Sequence, residues 1–170
     1  MVDIEVEQPR DADAITSLLR AAFSEDDEAE LAAALREEGH LRPGCCMVAR
    51  DGADVVGYAG IADVEVAAEP GLDVAVLAPV AVAPARQGEG IGTAVVQAAK
   101  RACVGTGCVA IVTEGDPAYY ERFGFEAAAE YGLESDLDPP VWAFQVCPCR
   151  PHALDGVSGT VRHPEPFHAL

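Results

Sequence analysis

Three glycines carry the chemistry most open to reading in this chain. Gly88, Gly90 and Gly92 follow an apolar, β-branched run from Val74 to Val82 that is broken at Pro84. After them Ile91, Val95, Ala98, Ala99 and Ala102 fall on one face of a helix. A strand thus runs through a Gly-rich turn into a helix N-terminus. Glycine lets such a backbone take positive φ and approach a ligand closely. The first N–H groups of the helix have no intrahelical partner, and the helix dipole is positive there. That combination suits a pyrophosphate. The turn is not a P-loop, because Thr93-Ala94 stands where Lys-Ser/Thr would follow the last glycine. Nor is it a Rossmann fingerprint, because the spacing Gly88-x-Gly90-x-Gly92 is not G-x-G-x-x-G.

What remains is Gln87-x-x-Gly90-x-Gly92 after Val80-Ala81-Val82, which resembles the acetyl-CoA motif of the GCN5-related N-acetyltransferase (GNAT) superfamily. A second block agrees in type and order: Gly115-Asp-Pro-Ala-Tyr119-Tyr120-Glu-Arg-Phe-Gly124-Phe125. It is similar to the tyrosine-bearing helix and Gly-Phe that close the GNAT core. With Gly159-Thr-Val-Arg-His-Pro-Glu-Pro-Phe167, the wording is most like the YhbS-like branch of that family. The resemblance spans nearly the whole chain and is tightest over 77–125.

The resemblance implies an α/β fold (α+β by some schemes). It implies one GNAT-type domain with a mixed, mostly antiparallel sheet of about six to seven strands flanked by about four helices. The domain is expected over 1–150, with 151–170 as an irregular tail packed on it. The implied activity is direct acetyl transfer from acetyl-CoA to a primary amine of a small molecule or peptide, with no covalent enzyme intermediate and no metal. Acetyl-CoA would be held by Val80, Ala81, Val82, Gln87, Gly88, Glu89, Gly90, Ile91, Gly92 and Thr93. The first three would act through backbone groups left free where the central strand splays from its neighbour. A backbone N–H near Val82 would polarise the thioester carbonyl. Tyr120, in the family pattern Tyr-x-x-x-Gly-Phe, would give a proton to the leaving thiolate. One departure stands out: many family members carry an asparagine where this chain has Thr113. For the base no residue is singled out. Glu65, Asp73 and Glu114 lie on or near core strands, and a water chain would serve as well. The alternative function is an acetyl-CoA-binding regulatory module without turnover. A metal-binding protein using Cys and His is a third reading.

The composition bounds these readings. A chain of 170 residues, half of them apolar, is one domain with room for a core. No apolar run is long enough to span a membrane and Met-Val-Asp-Ile-Glu does not read as a signal peptide, so a cytoplasmic protein is expected. There are 29 Asp+Glu against 11 Lys+Arg, for a net charge of −18, and Lys100 is the sole lysine. That charge argues against nucleic acid as a partner. It fits a surface adapted to a salt-accumulating, halophilic cytosol, or attraction of a cationic substrate. No membrane partner is expected, and a homodimer stays open. The six cysteines lack C-x-x-C spacing and read as buried free thiols.

The remaining elements follow from periodicity and punctuation. Asp3 to Glu7 alternates as a first strand. Asp11 or Asp13 can cap a helix carrying Ile15, Leu18, Leu19, Ala22 and Phe23. Ser24 reads as the cap of a second helix with Leu31, Ala34 and Leu35 inside and Gly39 as its stop. Strands are expected over 46–50 and 54–66, joined at Asp51-Gly52, with Gly57 and Gly60 marking a bulge. A turn is expected at Glu69-Pro70-Gly71, then the central strand over 72–82. The glycine-turn helix ends near Gly105, and 108–113 is a strand. Asp116-Pro117 caps a short helix over 118–123 with Gly124 at its end. A strand begins at Phe125, and 142–146 is the last clear one.

Overall fold

The computed structural model describes every residue from Met1 to Leu170. Strands β1 (Asp3–Val6), β2 (Met47–Asp51), β3 (Asp54–Val66) and β4 (Glu69–Val82) form an antiparallel run in chain order. Strand β5 (Ala110–Glu114) adds to β4 in parallel, as the helix between them requires. Strands β6 (Glu126–Ala127) and β8 (Phe144–Pro148) continue the sheet antiparallel beyond β5. Strand β7 (Leu133–Ser135) pairs in parallel with β9 (Gly159–Arg162), and β9 joins the end of β3. The sheet has nine strands, the extra ones being short. It is mixed and mostly antiparallel, and four α-helices accompany it, as the resemblance implied.

Helices α1 (Ala12–Ala22) and α3 (Ile91–Gly105) cover one face of the sheet, and α2 (Asp27–Glu37) with the C-terminal 3₁₀ turn Glu165–Ala169 covers the other. Strand alternation sorts the core accordingly. Ala75 and Leu77 of β4 and Ile111 of β5 pack with Ile15, Leu19, Val95 and Ala99. Their neighbours Val74, Val76 and Val112 pack with Leu31, Leu35 and Phe167. The central strand is thus buried on both faces, which its continuous apolar run requires.

Several local expectations are corrected. Asp11 does not cap α1; its carboxylate accepts from the Gln8 N–H at 2.8 Å, closing the 3₁₀ turn before the helix. Ser24 does not cap α2, which starts after Asp26; Asp27, Glu28 and Glu30 in its first turn complement the dipole instead. The buried alanines of α2 are Ala29 and Ala32, not Ala34. Glu69-Pro70-Gly71 belongs to β4, and the turn lies at Ala67-Ala68. The reason is tertiary: β9 pairs with Glu65 and Val66, and Ala67 N–H donates to Thr160 O at 2.8 Å, holding β3 in the ladder to its end. Trp142 lies in a 3₁₀ turn, Val141–Ala143, that follows Pro139-Pro140, and is 64% exposed. The segment past residue 150 is not wholly irregular, because it supplies β9 and the buried Phe167.

Two glycines of β3 set how closely the layers approach. A Cβ on Gly57 would stand 2.7 Å from Ile91 Cγ2, so the first residue of α3 sits directly on the strand. Gly60 lies at a register shift against β4, where a Cβ would meet Ala78 O at 2.8 Å.

Candidate active site

The glycine turn forms as its sequence dictates. Gly88 has φ +83° and Gly90, the N-cap of α3, has φ +84°, a region L side chains rarely adopt. Gly92 is helical and is needed for a different reason. A Cβ there would lie 2.7 Å from the Tyr119 hydroxyl. The first backbone bond into the helix is Ala94 N–H to Gly90 O. From Gln87 through Thr93 no backbone amide donates to a protein acceptor. These amides, at the positive end of a helix of 15 residues, form an anion cradle.

Beside the cradle the sheet opens. Strand β4 pairs with β5 only from Val74 to Val76, opposite Ala110 to Val112. The Thr113 hydroxyl then donates to Leu77 O at 2.9 Å, ending the ladder. On its other edge β5 stays paired with β8 along its whole length, Ala110 to Glu114 opposite Pro148 to Phe144. Val80, Ala81 and Val82 keep their pairing to β3 on the other edge. The edge of β4 that faces β5 is therefore bare beyond Leu77, and an extended ligand could add to it as a strand does.

The tyrosine block closes this opening. Asp116 Oδ1 accepts from Ala118 N–H at 2.9 Å, and Pro117 occupies the first position of α4 (Pro117–Tyr120). A 3₁₀ turn, Glu121–Phe123, follows, and Gly124 ends it with φ +89°. Lys100 Nζ donates to Phe123 O at 2.6 Å, tying the block to α3. The Tyr119 and Tyr120 rings meet edge to face at 5.0 Å. Tyr120 packs on Phe125 at 5.7 Å, and its ring fills the space a Cβ on Gly115 would need, 2.8 Å away. Burial pushes the Tyr120 hydroxyl above the ordinary tyrosine range, against a smaller opposing effect of Thr113, so it stays protonated at neutral pH.

Cradle, bare edge and tyrosines bound one cavity of about 510 Å³. Every residue expected to hold acetyl-CoA lines it except Glu89, whose carboxylate instead accepts from Arg86 Nε at 3.1 Å. Tyr120 lines it too. Arg86, Tyr119 and Arg122, to which sequence reading gave no role, complete the wall. The Arg122 guanidinium lies 4.6 Å over the Tyr119 ring, and Arg86 is shared between Asp51 and Glu89. The signal for Arg122 was its place three residues after Tyr119 on one helical turn. The six thiols are unbonded and five are buried, with burial pushing Cys46 up to about 12.

Comparison with known proteins agrees with this geometry. The model of the acetyltransferase (GNAT) family matches residues 12–125. The uncharacterized N-acetyltransferase YhbS of Escherichia coli K12 is 39% identical over 165 residues, 97% of this chain and 98% of that protein. The crystal structure of E. coli YhbS in complex with CoA superimposes with a TM-score of 0.93 at 40% identity, covering 98% of this chain and 91% of that one. A GNAT family acetyltransferase from Brucella melitensis, in complex with acetyl-CoA, gives a TM-score of 0.81 at 30% identity, covering 98% of both chains.

Proposed function

The chain belongs to the acetyltransferase (GNAT) family, and from that membership we propose that it moves an acetyl group from acetyl-CoA to a primary amine by direct transfer. The observation that carries this reading is the run of unpaired amides from Gln87 to Thr93 beside the bare edge of β4. The CoA pyrophosphate suits the amides. The pantetheine arm suits the open strand edge, where its amides replace the missing β5 ladder. The acetyl thioester then reaches the mouth of the opening, next to Tyr120 and the backbone N–H near Val82. Two relatives of similar fold hold CoA or acetyl-CoA, which supports the same ligand here.

The chemistry follows from these positions. The amine nitrogen attacks the thioester carbonyl carbon and the C–S bond breaks. A backbone N–H near Val82 stabilises the charge that develops on the carbonyl oxygen. The thiolate takes a proton from Tyr120, whose raised pKa keeps that proton available. The test is thiol release from acetyl-CoA in the presence of an amine library, with the acetylated product identified by mass. Acetyl-CoA-dependent acetylation of at least one amine is expected. Tight acetyl-CoA binding with no turnover of any amine would instead describe a binding module.

A further inference from the structure

A second cavity, of about 310 Å³, lies on the other side of the strand opening. It shares Val80 and Tyr120 with the first, so the same two residues wall both. Its body is apolar: Phe23, Leu31, Leu77, Pro79 and Phe167 line it. Three ionisable groups besides Tyr120 enter it: Glu28 of α2, Glu114 of β5 and His163.

These groups are not equivalent. His163 is engaged: its Nδ1 lies 2.8 Å from Asp136 Oδ1, and burial holds its pKa below the ordinary histidine value. Neither Glu28 nor Glu114 has such a partner, and of the two it is Glu114 whose chain neighbour packs on the Tyr120 ring. Glu114 ends β5 opposite Phe144, and that neighbour is Gly115. Its pKa is raised, and burial is the sole cause. Glu114 stays exposed at the end of its strand, so its carboxylate is only partly screened from water, and no cation stands beside it. An ammonium group entering the cavity would supply that cation, and the apolar walls would receive what the ammonium is attached to.

We infer that this cavity is the acceptor site, that its substrates are primary amines on an apolar body, and that Glu114 receives the ammonium and takes its first proton. The inference rests on the acetyl-transfer reading above. The protons balance. An ammonium gives up two on becoming an amide: one passes to Glu114 and then to water, and the other ends on the CoA sulfur by way of Tyr120. The two cavities meeting at Val80 and Tyr120 let the nitrogen approach the thioester carbonyl from the side opposite the pantetheine arm.

The test is calorimetric titration of the CoA-loaded protein with three probes, in wild type, Glu114→Gln and Glu114→Asp. The probes are 2-phenylethylamine, 3-phenylpropanoate and ethanolamine. Wild type is expected to bind 2-phenylethylamine at least about 10-fold more tightly than either other probe, the electrostatic and the apolar contributions each being worth that factor. Glu114→Gln should lose about 10-fold or more in 2-phenylethylamine affinity and in kcat/KM for it, with CoA affinity unchanged. Glu114→Asp should recover part of both. Equal affinity of wild type and Glu114→Gln for the amine, or binding of 3-phenylpropanoate as tightly, would overturn the assignment. Failure of wild type to bind CoA at all would fall on the acetyl-transfer reading itself. CoA binding without selection among the probes would sink the acceptor assignment alone.

Discussion

The role proposed for Tyr120 follows from its position. Its hydroxyl is held in the shared wall of two cavities by ring contacts with Phe123 and Phe125, at 6.4 and 5.7 Å. Phenylalanine would keep those contacts and lose the proton. Tyr120→Phe is therefore expected to fold and bind acetyl-CoA nearly as wild type does, while kcat falls by roughly 10²-fold, the low end for one general acid. Unchanged turnover with a competent amine would mean that solvent protonates the thiolate. The tyrosine was singled out through the family pattern Tyr-x-x-x-Gly-Phe that Gly124-Phe125 completes. Arg86 was not, because an arginine on a turn carries no pattern until the turn is placed, and Arg122 left only its spacing of three residues from Tyr119. Residue-scale electrostatics also set the acid limit. The carboxyl of Asp73 is held below its ordinary range by hydrogen bonds from Arg42, at 2.6 and 2.9 Å. Asp11 is lowered too: burial opposes this, but the Gln8 N–H and Arg50 outweigh it. Both folded pKa values lie below the unfolded one of about 3.9. Their stabilisation is thus complete above that pH and is lost as pH falls through the folded values. In 1 M potassium chloride, which screens general repulsion, Tm should hold down to about pH 5 and fall below about pH 4. Asp73→Asn should cost about 1 kcal/mol or less at pH 7, since Asp73 is 44% exposed, and should flatten the acid fall. An acid profile identical in the two proteins would remove Asp73 from this account.

Among the elements, the pair β4–α3 was readable from Leu72 to Gly105, because a buried strand, a glycine turn and an amphipathic helix each leave their own periodicity, while the start of β4 at Glu69 was not. The opening beside β4 was legible only through the family resemblance. Nothing in Val80-Ala81-Val82 by itself reveals that β5 leaves β4 after Val112; that depends on Thr113 capping Leu77 and on β8 holding β5 along its other edge. Strand β9 was missed for a related reason. Gly159–Arg162 is too short to show alternation and is a strand only because β3 and β7 offer edges to it. The contact of β3 with α3 can be tested directly. Gly57→Ala places a methyl against Ile91 Cγ2 and Ala49 Cβ, at 2.7 and 3.1 Å. Overpacking of this kind costs about 1–3 kcal/mol, or roughly 2–4 °C in Tm per kcal/mol at this chain length. Because Ile91 opens α3, the acetyl-CoA KM should rise as well. Gly71→Ala, which meets nothing within 4 Å, is the control. Gly57→Ala melting with wild type would show that the helix can yield without cost.

At the scale of the molecule the charge dominates. Four arginines, Arg36, Arg42, Arg50 and Arg86, are each paired to one or two acids, with contacts between 2.6 and 3.1 Å. A net charge of −18 is still left over. Repulsion among the excess acids is screened over about 8 Å at physiological ionic strength and about 3 Å at 1 M. Tm at neutral pH should therefore rise between low and molar potassium chloride. A flat or falling Tm would count against salt adaptation and favour attraction of a cationic substrate. The central claim, that the cradle and bare edge hold acetyl-CoA, meets its most direct test in calorimetric titration of wild type, Gly90→Val and Gly71→Val with acetyl-CoA. Valine at Gly90 cannot hold φ +84° without strain, so the amides lose their common aim. The account predicts binding by wild type and Gly71→Val, and at least about 10-fold weaker binding by Gly90→Val, roughly the 1.4 kcal/mol at the low end of such strain. Equal affinity in Gly90→Val, or no binding by wild type, would contradict it.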